Sequence, residues 1–242
     1  MKAILYIGHG TRSKKGAEEV KSFLNRVIER VDVLIQEISF LELTEPSIEE
    51  GFRRCVEKGA SEITVVPIFL LAAGHIKEDI PNALSVLGEQ YPEIQVQVRN
   101  PFGVQDEILD AIAELVKGAA GDVSSQDSLL IVGRGSSDPS IHTAFELIAN
   151  GIQERLQTDQ VSVCYLAAAE PRLEQGFESV LEDGSGRVIV IPYLLFSGLL
   201  LAEINQMVRK KQTEDQEIIC TGQLSRHRVI EDIVVGGFDK IR

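Results

Sequence analysis

Placing each residue beside the one 125 positions later, without a gap, matches glycine to glycine and proline to proline along most of the chain. Gly8 falls on Gly133, Gly10 on Gly135, Pro46 on Pro171, Gly51 on Gly176, Gly59 on Gly184 and Pro67 on Pro192. The same register pairs Leu41 with Leu166, Glu45 with Glu170, Phe52 with Phe177, Val65 with Val190, Leu70 with Leu195 and Glu78 with Glu203. Glycine and proline prescribe backbone dihedrals rather than fill an apolar pattern, so their recurrence in one register means that the same turns are made twice. The 242 residues therefore read as two copies of one fold, 1–120 and 127–242, meeting at the small, polar stretch from Lys117 to Ser128.

Within copy one, the apolar runs Ala3 to Ile7, Val33 to Phe40, Ile63 to Leu70 and Ile94 to Val98 are rich in β-branched residues and predict strands. Helical spacing lies between and after them: Ala17, Val20, Leu24, Val27, Ile28 and Val31 share a face, as do Ile48, Phe52, Cys55 and Val56. Ile80, Leu84 and Leu87 form a third face, and Ile108, Ile112 and Leu115 a fourth. Copy two repeats the pattern, with strands predicted at Leu129 to Val132, Val161 to Leu166, Val188 to Leu194 and Glu217 to Thr221. Strict alternation of strand and helix predicts an α/β protein with two parallel sheets, each covered on both faces. Ligands in such folds bind beyond the carboxyl ends of the strands.

Composition narrows the partners. With 24 Lys and Arg against 37 Asp and Glu, the net charge of −13 disfavours nucleic acid and anionic membranes, while a few clustered cations still allow an anionic small molecule. Cys55, Cys164 and Cys220 are odd in number and lack any C-x-x-C spacing, so they read as core residues rather than a disulfide framework or thiolate cluster. The longest apolar stretch, Val188 to Ala202, is 15 residues broken by Pro192 and Ser197. That is short of the roughly 18 to 20 needed to span a bilayer. No signal-peptide pattern opens the chain, and a cytoplasmic location is the expectation.

Of four histidines, two lie just past predicted strand ends in copy one. His9 sits between Gly8 and Gly10, and His75 follows Gly74, while Glu42 follows the second strand at the same sheet edge. Two imidazoles and a carboxylate converging there can coordinate a first-row divalent metal and accept protons. A histidine in a G-x-G turn is often only a hydrogen-bonding residue, and Glu42 alone reads as a surface charge. The repeat changes that balance. At the offset of 125, Arg134 stands for His9, Ala167 for Glu42 and Leu200 for His75, or Leu199 if Gly74 is matched to Gly198. Copy two keeps the turn-forming residues and loses all three polar groups, as expected if folding needs both sets and one active site needs one. The third glycine of a dinucleotide fingerprint is missing, since Ser13 and Asp138 stand there, and no P-loop, G-x-S-x-G or H-E-x-x-H occurs.

These residues resemble the class II tetrapyrrole chelatases, the SirB/CbiX family. The resemblance lies in Leu5-Tyr6-Ile7-Gly8-His9-Gly10-Thr11-Arg12, in Phe40-Leu41-Glu42-Leu43-x-x-Pro46, and in Pro67-Ile68-Phe69-Leu70-x-x-x-Gly74-His75-x-x-x-Asp79-Ile80-Pro81. It extends to a degenerate second half with Gly133-Arg134-Gly135-Ser136 and Pro192-Tyr193-Leu194-Leu195-Phe196. It implies two chelatase-type domains with a cleft between them, and insertion of ferrous iron or cobalt into sirohydrochlorin with release of two pyrrole protons. His9 and His75 are then the catalytic, metal-binding pair, with Glu42 a further acidic ligand. No cofactor is implied beyond the divalent metal substrate.

Because sirohydrochlorin carries many carboxylates, Arg12, Lys77, Arg134, Arg226 and Arg228 are candidates to orient it, each with the alternative of an ordinary surface residue. Arg134 can instead pair with Asp138, and His142 and His227 are not expected to be ligands. Some cobalt-handling members carry a His-rich tract or an iron–sulfur cysteine motif near the C-terminus, and neither is present before Arg242. Nor is a dehydrogenase or methyltransferase module. The expectation is a dedicated ferrochelatase, with a cobaltochelatase or a non-catalytic metal or tetrapyrrole carrier as alternatives, acting as a monomer with one active site.

Overall fold

A computed structural model describes residues 1–183 and 186–239. The first copy runs β1 (Lys2–Gly8), α1 (Lys14–Arg30), β2 (Ile35–Phe40), α2 (Ile48–Glu57), β3 (Glu62–Pro67), a π-turn (His75–Asp79), α3 (Ile80–Gln90), β4 (Gln95–Val98) and α4 (Asp106–Ala120). The second runs β5 (Ser128–Gly133), α5 (Ser140–Leu156), β6 (Val161–Tyr165), α6 (Leu173–Asp183), β7 (Val188–Tyr193), α7 (Leu199–Lys211), β8 (Ile218–Cys220), a 3₁₀ turn (Leu224–Arg226) and α8 (Val229–Asp239). The strands form two four-stranded parallel sheets, ordered β2-β1-β3-β4 and β6-β5-β7-β8. The expected duplicated α/β architecture is therefore what the chain adopts.

The repeat reaches into the packing. Leu5, Ile7, Phe52, Ile63 and Val65 in one core stand 125 residues before Leu130, Val132, Phe177, Val188 and Val190 in the other. Gly51 and Gly176 sit where α2 and α6 press on their sheets: a Cβ would lie 2.8 Å from Leu5 Cδ1 in one copy and 2.5 Å from Cys164 Cβ in the other. The central strands β5 and β7 are buried throughout, whereas the edge strand β4 is largely exposed. Two strand ends differ from the sequence expectation by more than one residue. Val33 and Leu34 precede β2, because β1 offers its first partner at Ala3, opposite Ile35. At the other end, β3 stops at Pro67 rather than at Leu70, with one further bond to β1 from the Ile68 N–H to Ile7 O at 2.8 Å.

Compact units and sequence copies do not coincide. One unit comprises Met1–Gly103 together with the chain from Glu231 onward, and the other comprises Val104–Ile230. The last helix of each copy thus belongs to the opposite unit from the one expected for segments 1–120 and 127–242. Helix α4 packs on α5, β7 and β8, buries Ile108, Leu109, Ile112 and Val116, and is tied by Arg155 to Asp106 at 2.8 Å and Asp110 at 2.6 Å. In the first unit, α8 pairs Glu231 with Arg26 at 2.6 Å and Asp232 with Arg30 at 2.5 Å. There the Phe238 ring stacks under the Arg99 guanidinium at 3.9 Å and stands edge-on to Tyr6. An amphipathic pattern shows that a helix has an apolar face; it does not say which sheet that face will cover.

The joint between the copies is anchored at the second sheet. Arg187, just before β7, donates to the carbonyls of Ala120 and Asp122 and to the buried Asp127 carboxylate, which also accepts from the Ser124 N–H. Burial alone would raise the Asp127 carboxyl, but the bonds from the Arg187 side chain and from the Ser124 and Arg187 N–H groups outweigh it and bring the pKa to about 2. A carboxyl depressed on folding contributes stability above its unfolded pKa of about 3.9 and loses it as pH falls through the folded value. Asp127→Asn is therefore expected to cost roughly 2 kcal/mol in urea unfolding between pH 5 and 7. The gap to the parent protein should narrow below about pH 4 and close near about pH 2.

Candidate functional site

The turn after β1 is held against the turn after β2 at a distance that only glycine permits. Gly10 has φ +93°, and a Cβ on it would lie 1.6 Å from the Glu42 carbonyl oxygen. Around it the Leu41 N–H donates to Gly8 O at 2.9 Å and the Glu42 N–H to His9 O at 3.1 Å, extending the parallel ladder past the strands. The Thr44 hydroxyl accepts from the Thr11 N–H and donates to Thr11 O, at 2.9 and 3.0 Å. Copy two builds the same frame: Gly135 has φ +85°, a Cβ would lie 1.9 Å from Ala167 O, and the Ala167 N–H donates to Arg134 O at 2.8 Å. The backbone is shared, so the difference between copies lies in the side chains it displays.

His75 arrives from the neighbouring strand. Past Pro67 the Ile68 N–H bonds to Ile7 O at 2.8 Å, and the Phe69 and Leu70 carbonyls accept from Phe102 and Gly103 at 2.9 and 2.8 Å. The chain then enters the π-turn at His75 and continues into α3, whose second residue is Pro81. Strands β1 and β3 are adjacent, with β2 outside one and β4 outside the other. The loops after β1 and β3 therefore flank the crevice at the topological switch point, where open parallel sheets bind ligands.

There the two imidazoles meet. His9 Nε2 lies 3.1 Å from His75 Nε2, with ring centroids 4.7 Å apart and planes at 83°. Phe69 backs both rings at 6.0 and 6.3 Å. The other nitrogen of each ring faces an acceptor: His9 Nδ1 lies 3.1 Å from the Gly10 carbonyl oxygen, and His75 Nδ1 lies 2.7 Å from Asp79 Oδ2. A carbonyl or carboxylate oxygen only accepts, so the ring proton is drawn to Nδ1, and a ring protonated there alone presents an Nε2 lone pair to the other. Two facing lone pairs repel, and the space between them is satisfied by a cation: one shared proton, or a metal ion. At a metal–nitrogen distance of about 2.1 Å, a 3.1 Å separation corresponds to an angle of about 95° at the metal, as for adjacent positions of an octahedron. The side chains are 32% and 28% exposed, which leaves the pair open to ligand.

Glu42 stands beside His9, its Oε1 3.7 Å from Nδ1. Among the described residues, no three or more His, Cys, Asp or Glu side chains are gathered to hold a metal ion. The structure thus pairs His9 with His75 and sets Glu42 next to the first of them. Arg12 and Lys77 are exposed in the same unit, at the start of α1 and in the π-turn. Arg134, Arg226 and Arg228 are exposed in the second unit, past the ends of β5 and β8, and the Arg226 guanidinium folds back over Gly222. Asp138 Oδ1 accepts from the Ser140 N–H and hydroxyl at 3.0 and 2.7 Å. His142 packs edge-on to Tyr165, and His227 Nε2 lies 2.8 Å from Glu114. Asp79, the acceptor beside His75, is not singled out by the sequence; its signal is the four-residue spacing from His75, which puts both on one helical face.

Comparison with known proteins agrees with this architecture. The CbiX family model matches residues 3–119 and again 128–240. Sirohydrochlorin ferrochelatase of Priestia megaterium is 40% identical over 94% of this chain and 85% of that protein. Sirohydrochlorin cobaltochelatase of the same organism is 31% identical over 97% and 78%. The solved structure of SirB from Bacillus subtilis with Fe3+ superposes with a TM-score of 0.85 at 35% identity, covering 97% of this chain and 93% of that one.

The repeated frame separates backbone roles from side-chain roles. Gly10→Ala and Gly135→Ala should each destabilise the protein by at least about 2 kcal/mol in denaturant unfolding, because each places a Cβ on a carbonyl oxygen at positive φ. His9→Ala, in the same turn, should stay within about 0.5 kcal/mol of the parent.

Proposed function

Since the chain belongs to the CbiX family, we propose that it inserts a divalent metal ion into sirohydrochlorin, ferrous iron in preference to cobalt. The observation that carries the reading is the 3.1 Å approach of the two Nε2 atoms, with the other nitrogen of each ring against an acceptor. Such a pair presents neutral nitrogen donors to a first-row ion and leaves most of its coordination positions for the macrocycle. The greater identity to the ferrochelatase, 40% against 31% for the cobaltochelatase, supports iron.

The chemistry matches the groups in number. Metallation exchanges one divalent cation for two pyrrole protons. As each Nε2 gives up the metal, its lone pair becomes free to accept one of those protons near neutral pH. Two imidazolium ions 3.1 Å apart would repel, so the protons are taken in turn. Asp79 stabilises the charge on His75, and Glu42 that on His9. In this reading Glu42 completes the metal site from the His9 side, while Arg12, Lys77, Arg134, Arg226 and Arg228 meet substrate carboxylates. The protein works in the cytoplasm as a monomer with one site per chain.

The deciding experiment is an anaerobic assay with catalytic amounts of protein, sirohydrochlorin and either ferrous iron or cobalt, following the macrocycle's absorption. Many turnovers with iron are expected; turnover confined to cobalt would make it a cobaltochelatase, and a single stoichiometric change a carrier. His9→Ala and His75→Ala should each lower turnover by at least about 100-fold, and near-parental rates in both would discard the site. Arg134→Ala should chiefly raise the Michaelis constant for the tetrapyrrole with little effect on metal affinity. A contact of that kind is worth roughly 1.5 to 3 kcal/mol.

A further inference from the structure

Asp79 ends the π-turn and leads without a break into Ile80-Pro81 of α3, inside one continuous helical stretch from Gly74 to Gln90. Its backbone is helical, at φ −67° and ψ −48°, its side chain makes no capping bond, and its Oδ2 turns back four residues to His75 Nδ1. The turn it spans is the five-residue π-turn His75–Asp79, an irregular element that recurs at functional sites. In copy two the corresponding helix α7 starts at Leu199 in regular α conformation. With Gly74 matched to Gly198, Leu199 replaces His75 and Glu203 replaces Asp79. The irregular turn and the imidazole occur together in one copy and are both missing from the other.

We infer that Asp79 is the positioning residue of the site, holding the His75 ring in the tautomer and orientation that aim its Nε2 lone pair at His9. The inference rests on the reading of the histidine pair as metal donors and adds the group that decides whether His75 can serve. Without an acceptor at Nδ1, a neutral imidazole in water favours the proton on Nε2, and that proton would point at the metal position. His9 receives the same support from the Gly10 carbonyl at 3.1 Å, which no side-chain substitution removes. Asp79 is thus a support of the pair that mutation can take away, and carboxylates behind ligating histidines commonly govern metal affinity.

The test uses the full chain, metal-free and labelled with nitrogen-15, at a pH well above the imidazole range. Long-range proton–nitrogen correlations are expected to show the Nδ1–H tautomer of His75 in the parent protein and a shift toward Nε2–H in Asp79→Ala. Calorimetric titration with cobalt chloride should show an affinity about 10- to 100-fold weaker in Asp79→Ala. Asp79→Asn, whose amide oxygen still accepts, should keep Nδ1–H and lose less. An Nδ1–H tautomer that survives Asp79→Ala overturns the inference. So does a lowered melting temperature with unchanged cobalt affinity, the mark of a residue that serves only the helix. If tautomer and affinity respond as expected but the parent never metallates sirohydrochlorin, the chelatase reading falls and the positioning role stands. Steady turnover with an indifferent tautomer does the reverse.

Discussion

A carbonyl oxygen 1.6 Å from where a side chain would begin leaves no choice of residue, and the approach of Gly10 to Glu42 is the contact on which the site depends. It brings the loop after β1 against the loop after β2, so that ladder hydrogen bonds continue beyond both strands and the two loops move as one piece. His9 rides on that piece. A side chain on an ordinary loop would sweep a wide arc, whereas this one leaves a backbone bonded on both sides and lies against Phe69. The same contact at Gly135 and Ala167 shows that the frame is a property of the fold, while His9 and Glu42 stand on one copy of it only.

The two sheets supply the rigid base. Their central strands are buried on both faces, and the cores beneath repeat many of the same positions, from Leu5 and Phe52 in one to Leu130 and Phe177 in the other. Each unit is closed by the last helix of the opposite copy, through the Arg155 pairs on α4 and through Arg26, Arg30 and Arg99 on α8. Neither copy by itself contains all the surface that covers its own sheet. Duplication and exchange of terminal helices are therefore one design: a unit cut from the chain at the repeat boundary would lose a helix that covers it.

At the site, electrostatics and hydrogen bonding point the same way. An imidazole has two nitrogens, and what its far nitrogen touches decides what the near one can offer. The Gly10 carbonyl and the Asp79 carboxylate both accept, which draws the ring protons to the far nitrogens and leaves the near ones facing each other at 3.1 Å. Glu42 adds negative charge beside His9. In the proposed reaction this small region draws in the metal ion and, once the metal leaves, has a place for the protons that replace it.

The sequence by itself settled what is written in residue types and spacing. The offset of 125 revealed two copies, β-branched runs marked the strands, and the loss of His9, Glu42 and His75 from copy two singled them out. Those signals survive in one dimension because glycine, proline and apolar periodicity act locally on the backbone. What depends on contacts between distant segments was decided only by the tertiary structure. Helices α4 and α8 carry apolar faces that either sheet can bury, so no pattern within them names the unit they join. The π-turn at His75 is equally invisible, because the spacing of Ile80, Leu84 and Leu87 marks the helix only after it. Only the packed crevice between β1 and β3 sets the distance between the two histidines, and with it what the pair can hold.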